Sequence, residues 1–316
     1  MTPRALVTGG AGFIGSHLVH RLLERGHRVR VLDDFSTGRR GNLAAFDGDL
    51  ELVEGDLRDF DVVRAAVRGA DVVFHQGALP SVPRSIHDPL TTNAVNVGGT
   101  LNVLLAAREH GVGRIVFASS SSIYGNDGPL PRVESLPARP VSPYAVSKLA
   151  AEGYCSSLGG AGAVSLRYFN VFGPRQDPAS EYASVVPRFI AAVAAGQPVR
   201  IYGDGEQTRD FTYVSDVVDA AILAADHDGP RPGTINIAGG RPTSVNALAD
   251  AIGATFGLEV RKEYLAARPY EVRDSGADVS KARRVLGFEP RVSLAAGLAM
   301  TASDLTGSPL AVVEAR

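Results

Sequence analysis

The 316-residue chain is long enough for one large or two medium domains with a substantial core. Its apolar and charged fractions, 45% and 21%, are those of an ordinary globular protein, and a net charge of −2 gives no electrostatic reason to expect nucleic acid or an anionic membrane as partner. Cys155 is the only cysteine, which excludes an intrachain disulfide or thiolate metal cluster and fits a reducing cytoplasm.

From the N-terminus, MTPRALVTGG runs straight into a strand and leaves no room for a signal peptide, and no apolar run has the length of a membrane span. Short β-branched runs follow one another: RALVTG, RVRVLDD, LELVEGD, DVVFHQ, RIVFASS and AVSLRYFN. Each is nearly continuously apolar, as parallel strands buried on both faces are. Helical patterns lie between them at 13–25, 59–69, 92–110 and 144–158. This alternation predicts an α/β fold, a Rossmann-type doubly wound parallel sheet. After residue 170 the rhythm breaks into the long polar loop FGPRQDPASEYA, a helix near 184–196 and the turn YGDGEQTRDF. FTYVSDVVDAAILAA then returns as a helix, followed by the strand TINIAGG and a helix from Ser244. The expected division is a dinucleotide domain at 1–167, with 210–240 returning to it, and a smaller interleaved substrate domain at 168–209 and 241–316.

LVTGGAGFIGSHL places Gly9, Gly12 and Gly15 after the first strand and at the start of a helix, with Phe13 and Ile14 between the last two. Glycine lets backbone approach a pyrophosphate, and the helix start offers free N–H groups and a positive dipole end. About twenty residues on, RVRVLDD ends in Asp33 and Asp34. A carboxylate there accepts from the adenosine ribose hydroxyls and repels a 2′-phosphate, which favours NAD over NADP. The arginines of STGRR keep a phosphate contact open. Asp56 in EGDLRD, next to Leu57, suits either the adenine edge or a helix N-cap. HQGA, His75 to Ala78 with Gln76 inside it, follows the fourth strand on the cofactor side, where His75 reads as a structural hydrogen-bonding residue.

The fifth strand ends in Ser119, Ser120, Ser121 and Ser122, at the carboxyl edge where such sheets bind ligands. SPYAVSK then sets Tyr144 and Lys148 one helical turn apart. A free phenol has a pKa near ~10; bringing it to about 7 takes roughly 4 kcal/mol, about what one positive charge at ~4 Å supplies at an effective dielectric of ~20. Lys148 and an oxidised nicotinamide are the candidate charges. A phenol so tuned could take the proton of an alcohol during hydride transfer, with a serine hydroxyl opposite holding the substrate oxygen.

Together GGAGFIGSH, the Asp33 region, NVGGT, SSSSIYG, SPYAVSK, LRYFNVFGP, DGEQTRDF and DVSKARRVLGF resemble the extended short-chain dehydrogenase/reductase family, in its NAD-dependent nucleotide-sugar epimerase/dehydratase group. The resemblance covers nearly the whole chain. It implies Ser120 as the catalytic hydroxyl, Tyr144 as the base and Lys148 on the nicotinamide ribose. It also implies a structural or cofactor-side role for Asn96 and a cofactor contact from Tyr168, in addition to the residues above. On the substrate side it implies Asn170 and Arg209 at the diphosphate, with Arg188, Ser81 and Ser121 nearby. Where the family carries RxGD, this chain reads RPYEVRDSGAD: Arg268 is kept, Glu271 replaces Asp and Tyr270 replaces Gly.

Dehydratases and decarboxylases of the group carry a carboxylate beside the catalytic hydroxyl, where this chain has Ser121 and Ser122. That argues for oxidation and re-reduction of one carbon rather than elimination. Ser275 stands where hexose-restricted relatives have a tyrosine, and a small residue there resembles the UDP-N-acetylglucosamine/UDP-glucose 4-epimerase branch. UDP-glucuronate 4-epimerases share several of these motifs, so the UDP-sugar stays open between them. A bound metal is not expected. The resemblance implies a homodimer through TLNVLLAAREHG and YAVSKLAAEGYCSSL.

Overall fold

The computed structural model of the chain describes residues 3–44, 48–158, 162–180, 183–229, 232–268, 272–310 and 312. Its frame is a strand–helix alternation: β1 (Arg4–Thr8), α1 (Phe13–Glu24), β2 (Arg28–Asp33), β3 (Leu50–Glu54), α2 (Phe60–Val67) and β4 (Val72–His75). It continues through α3 (Val82–His87), α4 (Pro89–Asn93), α5 (Gly99–Glu109), β5 (Arg114–Ser120), α6 (Pro143–Leu158) and β6 (Ala163–Tyr168). The later elements are β7 (Val171–Phe172), α7 (Val185–Ala194), β8 (Val199–Tyr202), β9 (Thr208–Asp210), β10 (Thr212–Tyr213), α8 (Val214–Asp226) and β11 (Thr234–Ile237). Last come β12 (Pro242–Ser244), α9 (Val245–Phe256), β13 (Lys262–Leu265), α10 (Ser280–Leu286) and α11 (Leu294–Thr306).

Seven parallel strands form the central sheet in the order β11-β6-β5-β4-β1-β2-β3. The order reverses between β1 and β4, so the carboxyl ends of the strands open a crevice there. Each sheet face carries its own apolar layer. Leu18, Val19 and Leu22 of α1 pack with Val217 and Ala221 of α8 on one side. Val63 and Val67 of α2 join Val103 and Leu104 of α5 and Ala151 of α6 on the other. A third cluster joins Phe189 and Ile190 of α7, Ile201 of β8, Leu248 and Ile252 of α9 and Leu298 of α11. A fully buried leucine in such a layer contributes about 1.5–3 kcal/mol.

Two predicted features differ. β3 is the sheet edge and leaves Glu51, Leu52 and Glu54 exposed, so LELVEGD is not buried on both faces. The helix expected over 92–110 begins at Pro89 and contains a π-turn at Ala94–Gly98 before α5. That wider turn carries Asn96, whose side chain accepts from Leu79 N (2.8 Å) and donates to Leu79 O and Ser147 Oγ. Its amide locks the segment after β4 to α6. Among the described residues no helix is long and apolar enough to cross a membrane, and no His/Cys/Asp/Glu group is arranged to hold a metal.

Candidate active site

A cleft of about 1200 Å³ lies along the carboxyl ends of the central strands and reaches under α7, β8 and β9. It exceeds the ~300–1,000 Å³ that one drug-sized ligand fills, so it has room for two ligands end to end. At its first end Gly9 takes φ +67°, and a Cβ there would lie 2.6 Å from Gly77 Cα; at Gly15 a Cβ would lie 2.1 Å from Gly9 O. These two glycines let β1, the loop after β4 and the start of α1 come together. Gly12 caps α1 and has no side chain to satisfy the first helical N–H groups, those of Phe13 and Ile14, which are left for a ligand.

Asp33 is 7% exposed, its two carboxylate oxygens accepting from Ala11 N and Phe35 N, each at 2.9 Å. Burial pushes its carboxyl above the usual range, and those N–H groups pull it back. Asp34, Asp56, Leu57, Gln76, Ala78 and Tyr168 also line this end. Asp56 is not a helix cap: Asp59 caps α2, while Asp56 holds the Arg58 guanidinium, which depresses its carboxyl. The buried Gln76 Oε1 has no partner and offers an acceptor to whatever occupies the cleft. The STGRR arginines are engaged elsewhere, Arg39 with Asp177 and Arg40 with Glu54 and the Phe35 ring. Glycine cradle, uncapped helix start, buried Asp33 and orphaned amide oxygen together fit a dinucleotide.

His75 is buried behind this end. Thr100 Oγ1 donates to Asn96 O (2.6 Å), so the histidine Nε2–H donates to Thr100 Oγ1 (2.9 Å). Its Nδ1 then accepts from Thr8 Oγ1 (2.7 Å), which itself accepts from Gly77 N. Burial lowers its pKa to about 3, with the Lys148 charge adding to the effect.

At the middle of the cleft, α6 brings Tyr144 to the end of β5. Ser119 points the other way, donating to Glu152 in a buried cluster with Arg167. Ser120, Ser121 and Ser122 line the cleft. Ser120 is hydrogen-bonded to the Tyr144 phenol, and that bond lowers the phenol's pKa. Burial nevertheless keeps the phenol above its ordinary value. The expected depression by Lys148 is therefore not present in the protein alone. The Lys148 ammonium donates to Ala118 O (2.8 Å) over the Phe117 ring, and burial lowers its own pKa to about 8. A phenolate here needs charge from the ligand as well.

The far end is cationic. Arg188, Arg200, Arg209 and Arg268 line it around Tyr202. Arg268 lies 3.6 Å and Arg188 5.8 Å from the centre of the Tyr202 ring, and Arg268 hydrogen-bonds to the phenol, which lowers its pKa. Asn170 takes a left-handed φ of +30°, which asparagine tolerates better than most residues, and lines the cleft with the buried Ser275. Tyr270 and Glu271 lie outside the described residues.

Two predicted residues do not reach the cleft wall. Asn96 is buried on the Leu79 backbone, and Ser81 caps α3 by accepting from Arg84 N. Conversely, the loop after β7 contributes contacts that sequence reasoning did not assign. His17 Nε2–H donates to Pro174 O (3.0 Å), Arg175 donates to Ser16 Oγ (3.2 Å), and Asp177 pairs with Arg39. The loop is thus strapped to α1. The one available signal was the charge-rich string PRQD inside a long loop; its partners are some 140–160 residues away in sequence.

The sequence pattern described as the NAD dependent epimerase/dehydratase family matches residues 5–238. The chain is 42% identical to a UDP-glucose 4-epimerase of Mycolicibacterium smegmatis over 307 residues, covering 94% of this chain and 97% of that one. Among solved structures it is similar to a UDP-N-acetylglucosamine 4-epimerase from Methanobrevibacter ruminantium in complex with UDP-N-acetylmuramic acid, at 37% identity and a TM-score of 0.91 over 97% of this chain and 99% of that one. It is similar also to the Thermus thermophilus UDP-glucose 4-epimerase in complex with NAD, at 39% identity and a TM-score of 0.88 over 96% and 99%.

Proposed function

Because the chain belongs to the NAD dependent epimerase/dehydratase family, we propose that it is an isomerase that inverts C4 of a UDP-sugar, interconverting UDP-GlcNAc and UDP-GalNAc and also accepting UDP-glucose and UDP-galactose. The observation that carries inversion over elimination is the set of acids lining the cleft. Among the described residues these are Asp33, Asp34, Asp56 and Asp177, all away from the serine–tyrosine centre. Beside Ser120 stand only the hydroxyls of Ser121 and Ser122, so no carboxylate is placed to remove a second proton next to a ketone.

On this reading residues 1–167 with 210–240 hold NAD, through Gly9, Gly12, Gly15, Asp33 and Gln76, and residues 168–209 with 241–316 hold the UDP-sugar. NAD, when bound, supplies reversible hydride acceptance at C4, so the sugar can be oxidised there, turned over and reduced on its other face with no net redox change. Tyr144 takes the proton from the sugar O4 and gives it back. Ser120 holds the phenol in place and the Lys148 ammonium sits behind both, so the phenolate is favoured once the oxidised nicotinamide adds its charge. Arg188, Arg209 and Arg268 neutralise the diphosphate, for which a guanidinium fork is suited, and Asn170 orients it. Ser275 leaves space beside the C2 substituent, which supports acceptance of an N-acetyl group.

Incubating the purified protein without added cofactor with UDP-GlcNAc, UDP-glucose and UDP-glucuronate in turn, and resolving products by proton NMR, tests this reading. UDP-GalNAc at unchanged mass is the expected product. Turnover of UDP-glucuronate alone, or a product of altered mass, would overturn it. Ser275→Tyr should cut activity on UDP-GlcNAc by at least about tenfold, the cost of filling a pocket, while sparing UDP-glucose; equal loss on both would reject the role of Ser275. We propose further that two chains pair through α5 and α6, where Val146 and Tyr154 of α6 are 50% and 38% exposed.

A further inference from the structure

The first turn after β5, Ser121–Tyr124, is capped by Ser120, whose Oγ accepts from Ser122 N at 3.2 Å. The same oxygen is 2.9 Å from Ser122 Oγ, which donates to it. A serine hydroxyl has two acceptor lone pairs and one proton. With residue 122 supplying both donors, the proton of Ser120 is left to be given away, and its remaining partner is the Tyr144 phenol. Given the proposed reaction, on which this inference rests, we propose that Ser122 is a positioning residue: it fixes Ser120 as a hydrogen-bond donor to Tyr144 and so favours the phenolate.

Without the Ser122 hydroxyl one lone pair of Ser120 falls vacant, and Ser120 can then accept from a neutral Tyr144 phenol instead of donating to a phenolate. The bond that favoured ionisation would then oppose it. Ser121 cannot substitute, because it follows Ser120 directly and no hydrogen bond joins the two. Ser119 cannot either, since its hydroxyl is committed to Glu152 (2.8 Å) on the other side of the strand. Three of the four consecutive serines thus have separate duties: Ser119 anchors the strand to the buried Glu152, Ser120 faces the phenol, and Ser122 sets the direction of Ser120.

The test is the ionisation of Tyr144 in the holoenzyme, read by ultraviolet phenolate absorbance as the difference from Tyr144→Phe, alongside the pH profile of kcat. In Ser122→Ala both the titration and the acid limb of kcat should move to higher pH. At neutral pH kcat should fall about three- to tenfold, the worth of one hydrogen bond, with KM little changed. Ser122→Thr, which keeps the hydroxyl, should restore both. An unmoved titration in Ser122→Ala, or a threonine variant as impaired as the alanine one, would overturn the assignment. If the alanine variant does not accumulate, Ser122→Cys, a near-isostere with a weaker donor, carries the same prediction. The titration needs no substrate: a wild type that titrates as expected but does not epimerise retires the proposed reaction and leaves the Ser122 assignment standing.

Discussion

Lys148 is buried with its ammonium on a single carbonyl, that of Ala118, while Tyr144 is held above its ordinary pKa. Neither is comfortable without a ligand, which is how perturbed groups at functional sites are commonly found. Tyr144→Phe should lower kcat by about 10²–10⁴, the contribution of a general base, with NAD content unchanged. Retention of more than a tenth of the activity would remove the phenol from the chemistry. Two imidazoles weaken the fold in acid. His75 and His17 are held by burial at about 3 and about 4, below the ordinary imidazole value of 6.5. The unfolded chain binds protons at both below pH 6.5 and the folded protein does not, so their stability is fully present above 6.5 and is lost as pH falls. For His75 the loss is about 3 kcal/mol by pH 4. Urea unfolding of His75→Gln should show a shallower fall in stability between pH 7 and 4.5 than wild type, and an identical fall would contradict the assignment. Sequence reasoning placed Tyr144, Lys148, Ser120 and Asp33 at the cleft because local spacing on one helix or strand end dictates it. It did not see that Lys148 turns to Ala118, because that contact depends on the packing of α6 against β5, nor that Ser122 crosses back to Ser120, because a serine run does not announce the tight turn that follows the strand.

At the scale of elements, the central strands were legible because β-branched runs buried on both faces leave no other periodicity. The edge strand β3 was misjudged because strand order, not composition, decides what stays exposed. The π-turn at Ala94–Gly98 escaped because a single turn of wider helix leaves the apolar spacing nearly unchanged. The strap after β7 was the larger omission. Its contacts with α1 and Arg39 close over the end of the cleft that fits the cofactor, and Asp177 is only partly buried. An exposed ion pair is worth about 0–1 kcal/mol to folding, so Asp177→Ala should leave Tm within a few degrees of wild type. It should release bound NAD several-fold faster on dialysis, measured as the loss of cofactor absorbance. Unchanged retention would show that the Arg39–Asp177 pair only shapes the loop.

At the scale of the molecule, one cleft joins a dinucleotide-fitting end, a serine–tyrosine centre and an arginine-rich end, as a reaction that borrows and returns a hydride within one site requires. The proposed pairing of α5 and α6 predicts twice the mass of a single chain in light scattering, and Val146→Arg should give a single-chain mass. A wild type that scatters as a single chain would remove the dimer while leaving the site intact. In the proposed epimerisation C4 is oxidised and re-reduced without the hydrogen leaving the site. Epimerising UDP-glucose deuterated at C4 in ordinary water, with the product read by mass spectrometry and NMR, tests it most directly. The label should be retained at C4 of UDP-galactose, with no solvent hydrogen at C4 or C5; washout of the label, or exchange at C5, would contradict the mechanism.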